Sequence, residues 1–266
     1  MSAVSIPAIP DLGARSDEIV IYAGPCSVES LEQFEEVAEC IAGLGLTWIR
    51  GGAFKPRTNP HSFQGLGEEA LKIMNSVGEK HGLRTLTEVM CSDHCEMVHS
   101  YVDGLQIGAR NFQNFSLLSK VGQVTAESKK TVLYKRGFAG TIAEWLAAAN
   151  YITQYGNDNV VLCERGIRTF ETATRFTLDI AAVPVVHKQS LLPVCVDVSH
   201  PAGQRDLVPS LAKAAIAVGA DALMIEVHPN PPAALSDGPQ QLTLAQFTQL
   251  VEELRVLAAA LGKKIV

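Results

Sequence analysis

Four residues scattered through the chain could jointly hold a metal ion: Cys26, His200, Glu226 and Asp237. A thiolate, an imidazole and two carboxylates make a mixed sulfur, nitrogen and oxygen donor set. Such a set suits Mn²⁺, Fe²⁺, Co²⁺ or Zn²⁺ far better than Mg²⁺ or Ca²⁺. Spacing alone argues weakly for it, because a lone Cys on a strand is more often core and a lone His after a strand is often structural. A second group is basic. Arg50, Lys55, Arg57, Arg110, Lys135, Arg136, Arg165, Arg168 and, more loosely, Arg205 are nine of the 22 Lys and Arg residues, and each follows an apolar run. Planar Arg forks and compact Lys charges converging on one mouth suit an anionic, phosphorylated ligand. Taken singly, any one of them is equally well explained by solubility or by an ion pair with a loop carboxylate.

For these side chains to meet, the chain must bring the ends of its apolar runs together. Strands are predicted at 18–23, 46–50, 84–89, 104–107, 131–134, 159–163, 193–198 and 221–227. Helices are predicted at 30–44, with Ser30 as its capping residue, and at 66–81, 92–101, 114–121, 142–155, 172–181, 207–218 and 244–261. The strands are continuous apolar runs, as expected when both faces are buried. Eight βα units in about 250 residues predict a single α/β domain, a closed (β/α)8 TIM barrel over 18–266. A doubly wound open sheet is the alternative, and no GxGxxG turn follows the first strand. Residues 1–17 read as a short N-terminal lead-in covering the barrel bottom. In such a barrel the active site lies at the C-terminal strand ends. Cys26, His200, Glu226 and Asp237 follow strands one, seven and eight, which adjoin once the barrel closes.

Composition bounds the function. The 266 residues carry 22 Lys and Arg against 28 Asp and Glu, a net charge of −6 that argues against nucleic acid as the main partner. No apolar run reaches the roughly 18 residues a membrane span needs. The first seventeen residues lack the basic and apolar regions of a secretory signal, so a cytoplasmic protein is expected. The six cysteines (26, 40, 91, 95, 163 and 195) read as free thiols, and the Cys91 to Cys95 stretch has poor zinc spacing. Glu29 is expected at a helix start, where negative charge is favourable. His228 is either a support for the metal ligands or a turn residue, and Asp197 either such a support or a hydrogen bonder in the barrel core. Ser27 is unconvincing as a nucleophile, and Trp48 and Trp145 are expected in the core.

Longer motifs carry a resemblance. GPCSVES, IRGGAFKPRTNPHSFQGLG, QIGARNFQNF, LYKRGF, LCERGIRTFE, DVSHPAGQRDL and EVHPNPPAALSDGPQQL resemble the type I 3-deoxy-D-arabino-heptulosonate 7-phosphate (DAHP) synthases of the β subtype, from about Ile19 to Gly262. The resemblance implies condensation of phosphoenolpyruvate with D-erythrose 4-phosphate, releasing phosphate, as the first step of the shikimate pathway. It implies a divalent metal, Mn²⁺ foremost, on Cys26, His200, Glu226 and Asp237. It assigns phosphoenolpyruvate to Arg50, Lys55, Arg110, Lys135, Arg165 and His200, and erythrose 4-phosphate to Arg57 and Thr58. The expected catalytic set is Lys55, Cys26, His200 and Glu88. Lys55 would protonate the new alkoxide, while Glu88 or a water on the metal would handle the incoming water. Asn59 and His61 replace the Ser and Tyr expected in that loop. The sister reaction, with arabinose 5-phosphate giving 3-deoxy-D-manno-octulosonate 8-phosphate, is the alternative; KPRT rather than a KANRS-like segment speaks against it. A catalytically silent barrel is disfavoured because none of these positions is degenerate. Relatives imply a homodimer or homotetramer. Neither a ferredoxin-like domain nor a fused chorismate mutase is expected, so neither is direct inhibition by Tyr or Phe; a separate chorismate mutase stays open as a partner.

Overall fold

The computed structural model describes residues 17–56, 59 and 61–266. Eight parallel strands run β1 (Glu18–Gly24), β2 (Trp48–Arg50), β3 (Arg84–Glu88), β4 (Gly104–Ile107), β5 (Thr131–Lys135), β6 (Val160–Glu164), β7 (Val194–Asp197) and β8 (Ala222–Glu226). Each pairs with the next, and β1 pairs with both β2 and β8, so the sheet closes and the open-sheet alternative is excluded. A short β9 (Lys264–Ile265) adds to the start of β1. The helices are α1 (Leu31–Gly43), α2 (Glu68–His81), α3 (Cys95–Tyr101), α4 (Phe115–Thr125), α5 (Ile142–Thr153), α6 (Ala182–Gln189), α7 (Ser199–Ala202), α8 (Val208–Ala217) and α9 (Leu244–Ala260).

The continuous apolar runs serve two cores. Along β1, Ile19, Ile21 and Ala23 pack outward against the helices, while Val20 and Tyr22 point into the barrel with Trp48, Leu86, Leu133, Val161 and Met224. The period of two along a strand sends alternate residues to opposite faces. Tyr22 and Trp48 fill the interior with ring centroids 5.3 Å apart. Trp145 is also buried, and all six cysteines are free. Helix starts follow local chemistry. Ser30 Oγ accepts from the Gln33 amide at the start of α1, and Thr141 with Glu144 and Thr243 with Gln246 form reciprocal capping boxes on α5 and α9.

One expectation needs correction. The helix predicted at 172–181 is an irregular loop, and the helix after β6 is α6, starting at Ala182. The loop's residues are spent on tertiary contacts instead. Phe176 stacks on Phe138 (centroids 5.2 Å, planes 8° apart), Thr177 bridges to Ile167, and Asp179 pairs with Arg136 at 2.7 Å. Pro184 sits in the first turn of α6, where its missing N–H costs nothing. The single turn α7 and the strand β9 went unpredicted; both are too short for a periodic signal. The lead-in expected over 1–17 falls almost wholly outside the described residues.

Candidate active site

Most strands end in a polar residue at the same rim: Arg50, Glu88, Lys135, Glu164, Asp197 and Glu226. Gly24 ends β1 with φ +147°, and a Cβ there would lie 1.9 Å from the Arg50 carbonyl oxygen. Only glycine allows β1 to leave the barrel this close to β2. Cys26 follows, its N–H donating to Gln241 Oε1 at 3.1 Å.

The four metal-donor candidates come together. One ligand atom from each of Cys26, His200, Glu226 and Asp237 lies within 4.8 Å of all the others. Cys26 Sγ is 3.6 Å from Asp237 Oδ2, and His200 Nε2 is 3.4 Å from Glu226 Oε1 and 3.8 Å from Asp237 Oδ2. Asp237 adopts the left-handed conformation, φ 49°, uncommon outside glycine. Asp197 resolves as the support of this group. Its Oδ1 accepts from the Ser199 and His200 amides, building the α7 turn, and its Oδ2 lies 2.7 Å from Lys135 Nζ and 2.7 Å from His200 Nδ1. The last contact is close but off the hydrogen-bond axis. It turns Nε2 toward the other donors, as a carboxylate behind a ligating imidazole does. Ser199 Oγ accepts from the Glu226 amide, and Gln240 Nε2 donates to Glu226 Oε2 at 2.6 Å.

Charge at this cluster is tightly balanced. Burial, and then Glu226, push the Cys26 thiol up to about 12. Burial lowers His200 against the pull of Asp197, leaving the ring neutral and fit to ligate. Burial opposes ionisation of Glu226 and Asp237, but His200 with Arg50 on the first and His200 with Arg175 on the second hold both below the ordinary carboxylate range. Neutral imidazole, two carboxylates and a thiol needing a cation to ionise are a donor set that fits a divalent transition metal.

Above this cluster opens a cavity of about 340 Å³, lined among others by Arg50, Lys55, Glu88, Arg110, Lys135, Arg165 and His200. It also touches Asn59. Lys55 Nζ donates to the Cys26 carbonyl at 2.9 Å and to its Sγ at 3.0 Å. Arg50 Nη1 binds the Pro25 carbonyl and Glu226. Arg165 is buried, with Cζ 4.1 Å from the Phe176 ring centroid, and its Nη1 has no hydrogen-bond partner among the described residues. Glu88 accepts from Gln106 at 3.1 Å and presses on Gly108, where a Cβ would lie 2.0 Å from its Oε1. Arg57 and Thr58 lie outside the described residues.

Not every basic residue serves the cavity. Arg136 is buried in ion pairs with Glu164 and Asp179 and anchors the loop after β6. Arg168 lies over Phe138 beside a neighbouring basin, and Arg205 binds the carbonyls of Gly238 and Pro239. Glu29 does more than start a helix: it accepts from Ser27 Oγ and the Leu235 amide and faces His228 Nε2 at 3.4 Å, tying the loop that carries Asp237. Sequence reasoning missed Arg175, Phe138, Phe176, Gln106 and Gln240. Arg175 and Phe176 were hidden in the stretch read as a helix; Gln240 stood within the GPQQL motif.

Fold and site together define a (β/α)8 barrel whose rim joins a candidate transition-metal cluster to a basic cavity. Comparison with known proteins narrows this class. The model of the DAHP synthetase I family matches residues 11–260, and the chain belongs to that family. It is 54% identical over 255 residues to phospho-2-dehydro-3-deoxyheptonate aldolase of Thermotoga maritima, covering 96% of this chain and 74% of the relative. The crystal structure of phospho-2-dehydro-3-deoxyheptonate aldolase (DAHP synthase) of Thermotoga maritima superposes with a TM-score of 0.90 at 52% identity, over 94% of this chain and 72% of the other. A truncated form of the Thermotoga maritima synthase gives 0.87 at 50% identity, over 94% and 90%. A 2-dehydro-3-deoxyphosphooctonate aldolase of Caulobacter vibrioides is 33% identical over 260 residues, covering 90% of this chain and 88% of the relative.

Proposed function

We propose that this chain is a metal-dependent DAHP synthase, condensing phosphoenolpyruvate with D-erythrose 4-phosphate to DAHP and phosphate, the entry step of the shikimate pathway. The observation that carries the reading is the convergence of four metal-donor atoms, within 4.8 Å of one another, at a cavity lined by Arg50, Lys55, Arg110, Lys135 and Arg165. Identity of 54% to the heptonate enzyme against 33% to the octonate enzyme does not favour the arabinose 5-phosphate alternative.

The chain's residues suit each demand of that reaction. Two phosphates and a carboxylate must share one pocket, and fixed cations lining it stabilise that charge. Arg110, Lys135 and Arg165 would hold phosphoenolpyruvate, Arg57 and Thr58 the aldose phosphate. Cys26, His200, Glu226 and Asp237 would hold a divalent ion, Mn²⁺ foremost, which when bound supplies Lewis-acid polarisation of the aldehyde. Carbon 3 of phosphoenolpyruvate adds to the aldehyde carbon, and Lys55 would give the new alkoxide a proton. Water adds at carbon 2, with Glu88 in the same cavity to take its proton, and phosphate leaves from the hemiketal by C–O cleavage. A homodimer or homotetramer in the cytoplasm is the proposed setting. No helix among the described residues is long and apolar enough to cross a membrane.

The test is phosphate release from phosphoenolpyruvate with each aldose, after EDTA and after Mn²⁺ add-back, with metal content measured alongside. Turnover with erythrose 4-phosphate that dies with EDTA and returns with Mn²⁺ is expected. Preference for arabinose 5-phosphate would overturn the substrate, and an active metal-free sample would overturn the metal site.

A further inference from the structure

We propose that Arg175 is a further substrate-binding residue, joining Arg165 in holding the phosphoryl group of phosphoenolpyruvate and linking that anion to the metal ligand Asp237. This rests on the cavity being the phosphoenolpyruvate site. Three observations lead to it.

Arg175 lines the same cavity as Arg165, His200 and Asp237. Its guanidinium and that of Arg165 share one aromatic support, with Cζ atoms 6.0 and 4.1 Å from the Phe176 ring centroid. Two like charges near one ring repel, and an anion in the cavity that both line relieves that repulsion. Burial lowers the Arg165 pKa; Asp197 opposes this and the Arg175 charge adds to it.

Arg175 also reaches the metal cluster through one nitrogen. Nη1 lies 3.1 Å from Asp237 Oδ2 and donates to Gln240 Oε1 at 2.9 Å, while Gln240 passes a hydrogen bond to Glu226 Oε2. Nε and Nη2 have no partner among the described residues and are left for an incoming oxyanion. The arm is also freer than its neighbours: its side chain is 38% exposed, against 5% for that of Arg50. It is carried by the loop after β6, which is tied down beside it by the Phe176 amide donating to the Pro201 carbonyl at 3.0 Å.

The shared atom makes the two ligands cooperate. Asp237 Oδ2 faces both Arg175 and the other metal donors, Cys26 and His200. A cation drawing on that oxygen leaves Arg175 less neutralised and so more attractive to a phosphoryl group. Linkage then requires that the phosphoryl group strengthen metal binding by the same factor.

The experiment is titration calorimetry of phosphoenolpyruvate alone, with no aldose and hence no turnover, into wild type, Arg175→Gln and Arg175→Lys, each with and without saturating Mn²⁺. Thermal melts verify that the loop substitutions leave the fold intact. Arg175→Gln is expected to weaken phosphoenolpyruvate about tenfold, about 1.4 kcal/mol, and Arg175→Lys about threefold. The factor by which Mn²⁺ tightens phosphoenolpyruvate in wild type should shrink about fivefold in Arg175→Gln. A folded Arg175→Gln protein that binds phosphoenolpyruvate like wild type, with the same Mn²⁺ enhancement, overturns the proposal alone. So does weakened binding with an unchanged Mn²⁺ enhancement, which is what a merely structural role would give. Failure of wild type to bind phosphoenolpyruvate overturns the cavity assignment and this proposal with it.

Discussion

With a metal bound, the Cys26 thiol would set how the candidate cluster responds to pH. Burial, and then Glu226, push it up to about 12, so at neutral pH it carries its proton and must lose it to ligate. His200 is shifted down and has no proton to release. Mn²⁺ binding should therefore expel about one proton, and the apparent affinity should rise by up to about tenfold per pH unit between pH 6 and 8. Calorimetry in buffers of different ionisation enthalpy measures that proton; a value near zero would mean Cys26 is not a ligand. Asp197 acts through His200 and Lys135, which both lie 2.7 Å from its Oδ2. Asp197→Asn should cost about 10- to 100-fold in metal affinity, the usual range for a group behind a ligand. Glu88 is probed from Gly108, just past the end of the neighbouring strand β4. Gly108→Ala drives a Cβ into its carboxylate, and a fall in kcat of about tenfold is expected. Unchanged kcat would remove Glu88 from the mechanism.

Element by element, local chemistry and tertiary demand divide the work. The capping box of α5 is local: Thr141 Oγ1 accepts from the Glu144 amide, and Glu144 Oε2 accepts from the Thr141 amide at 2.8 Å. Thr141→Ala should cost about 1 kcal/mol and lower the melting temperature by a few degrees with kcat unchanged, read by calorimetry and kinetics together. The loop after β6 is the opposite case. Its Phe176 supports Arg165, its Asp179 neutralises Arg136, and its Arg175 reaches Asp237. The periodic pattern over 172–181 predicts a helix, but residues of this loop contact Phe138 and Arg136 after β5, Pro201 of α7 and Asp237 after β8.

At the scale of the whole molecule, the four candidate metal donors meet at the place where the barrel closes. Glu226 ends β8, while Cys26, His200 and Asp237 follow β1, β7 and β8, and β1 is the strand that seals the ring against both β2 and β8. A ligand that binds only the folded state stabilises by mass action, about 2.7 kcal/mol at a hundredfold excess over its dissociation constant. Saturating Mn²⁺ should thus raise the melting temperature by roughly 5–10 °C. The shift should vanish in Cys26→Ala. A shift that persists in that variant would place the stabilising ion elsewhere. Light scattering of the purified chain tests the proposed dimer or tetramer.

The residue types alone favoured the barrel and named the candidates for its rim; the pairing of β1 with β8 is what excluded the open sheet. Eight apolar runs long enough to be buried on both faces, each followed by a helical pattern, admit few architectures, and the strand-end rule then collects Cys26, His200, Glu226 and the cationic residues without coordinates. Asp237 and Glu88 were legible for the same reason. What sequence left open was direction and partnership. Arg136 and Arg165 stand at equivalent strand ends, yet one is buried against Glu164 and Asp179 while the other faces the cavity with an unsatisfied nitrogen. Asp197 could have been core or support until its two oxygens were seen divided between a helical turn and His200. Arg175 was invisible because its role depends on a non-local approach between the loops after β6 and β8. Periodicity reports which face of an element is buried; only the closed barrel decides which charges from separate elements end within hydrogen-bond reach.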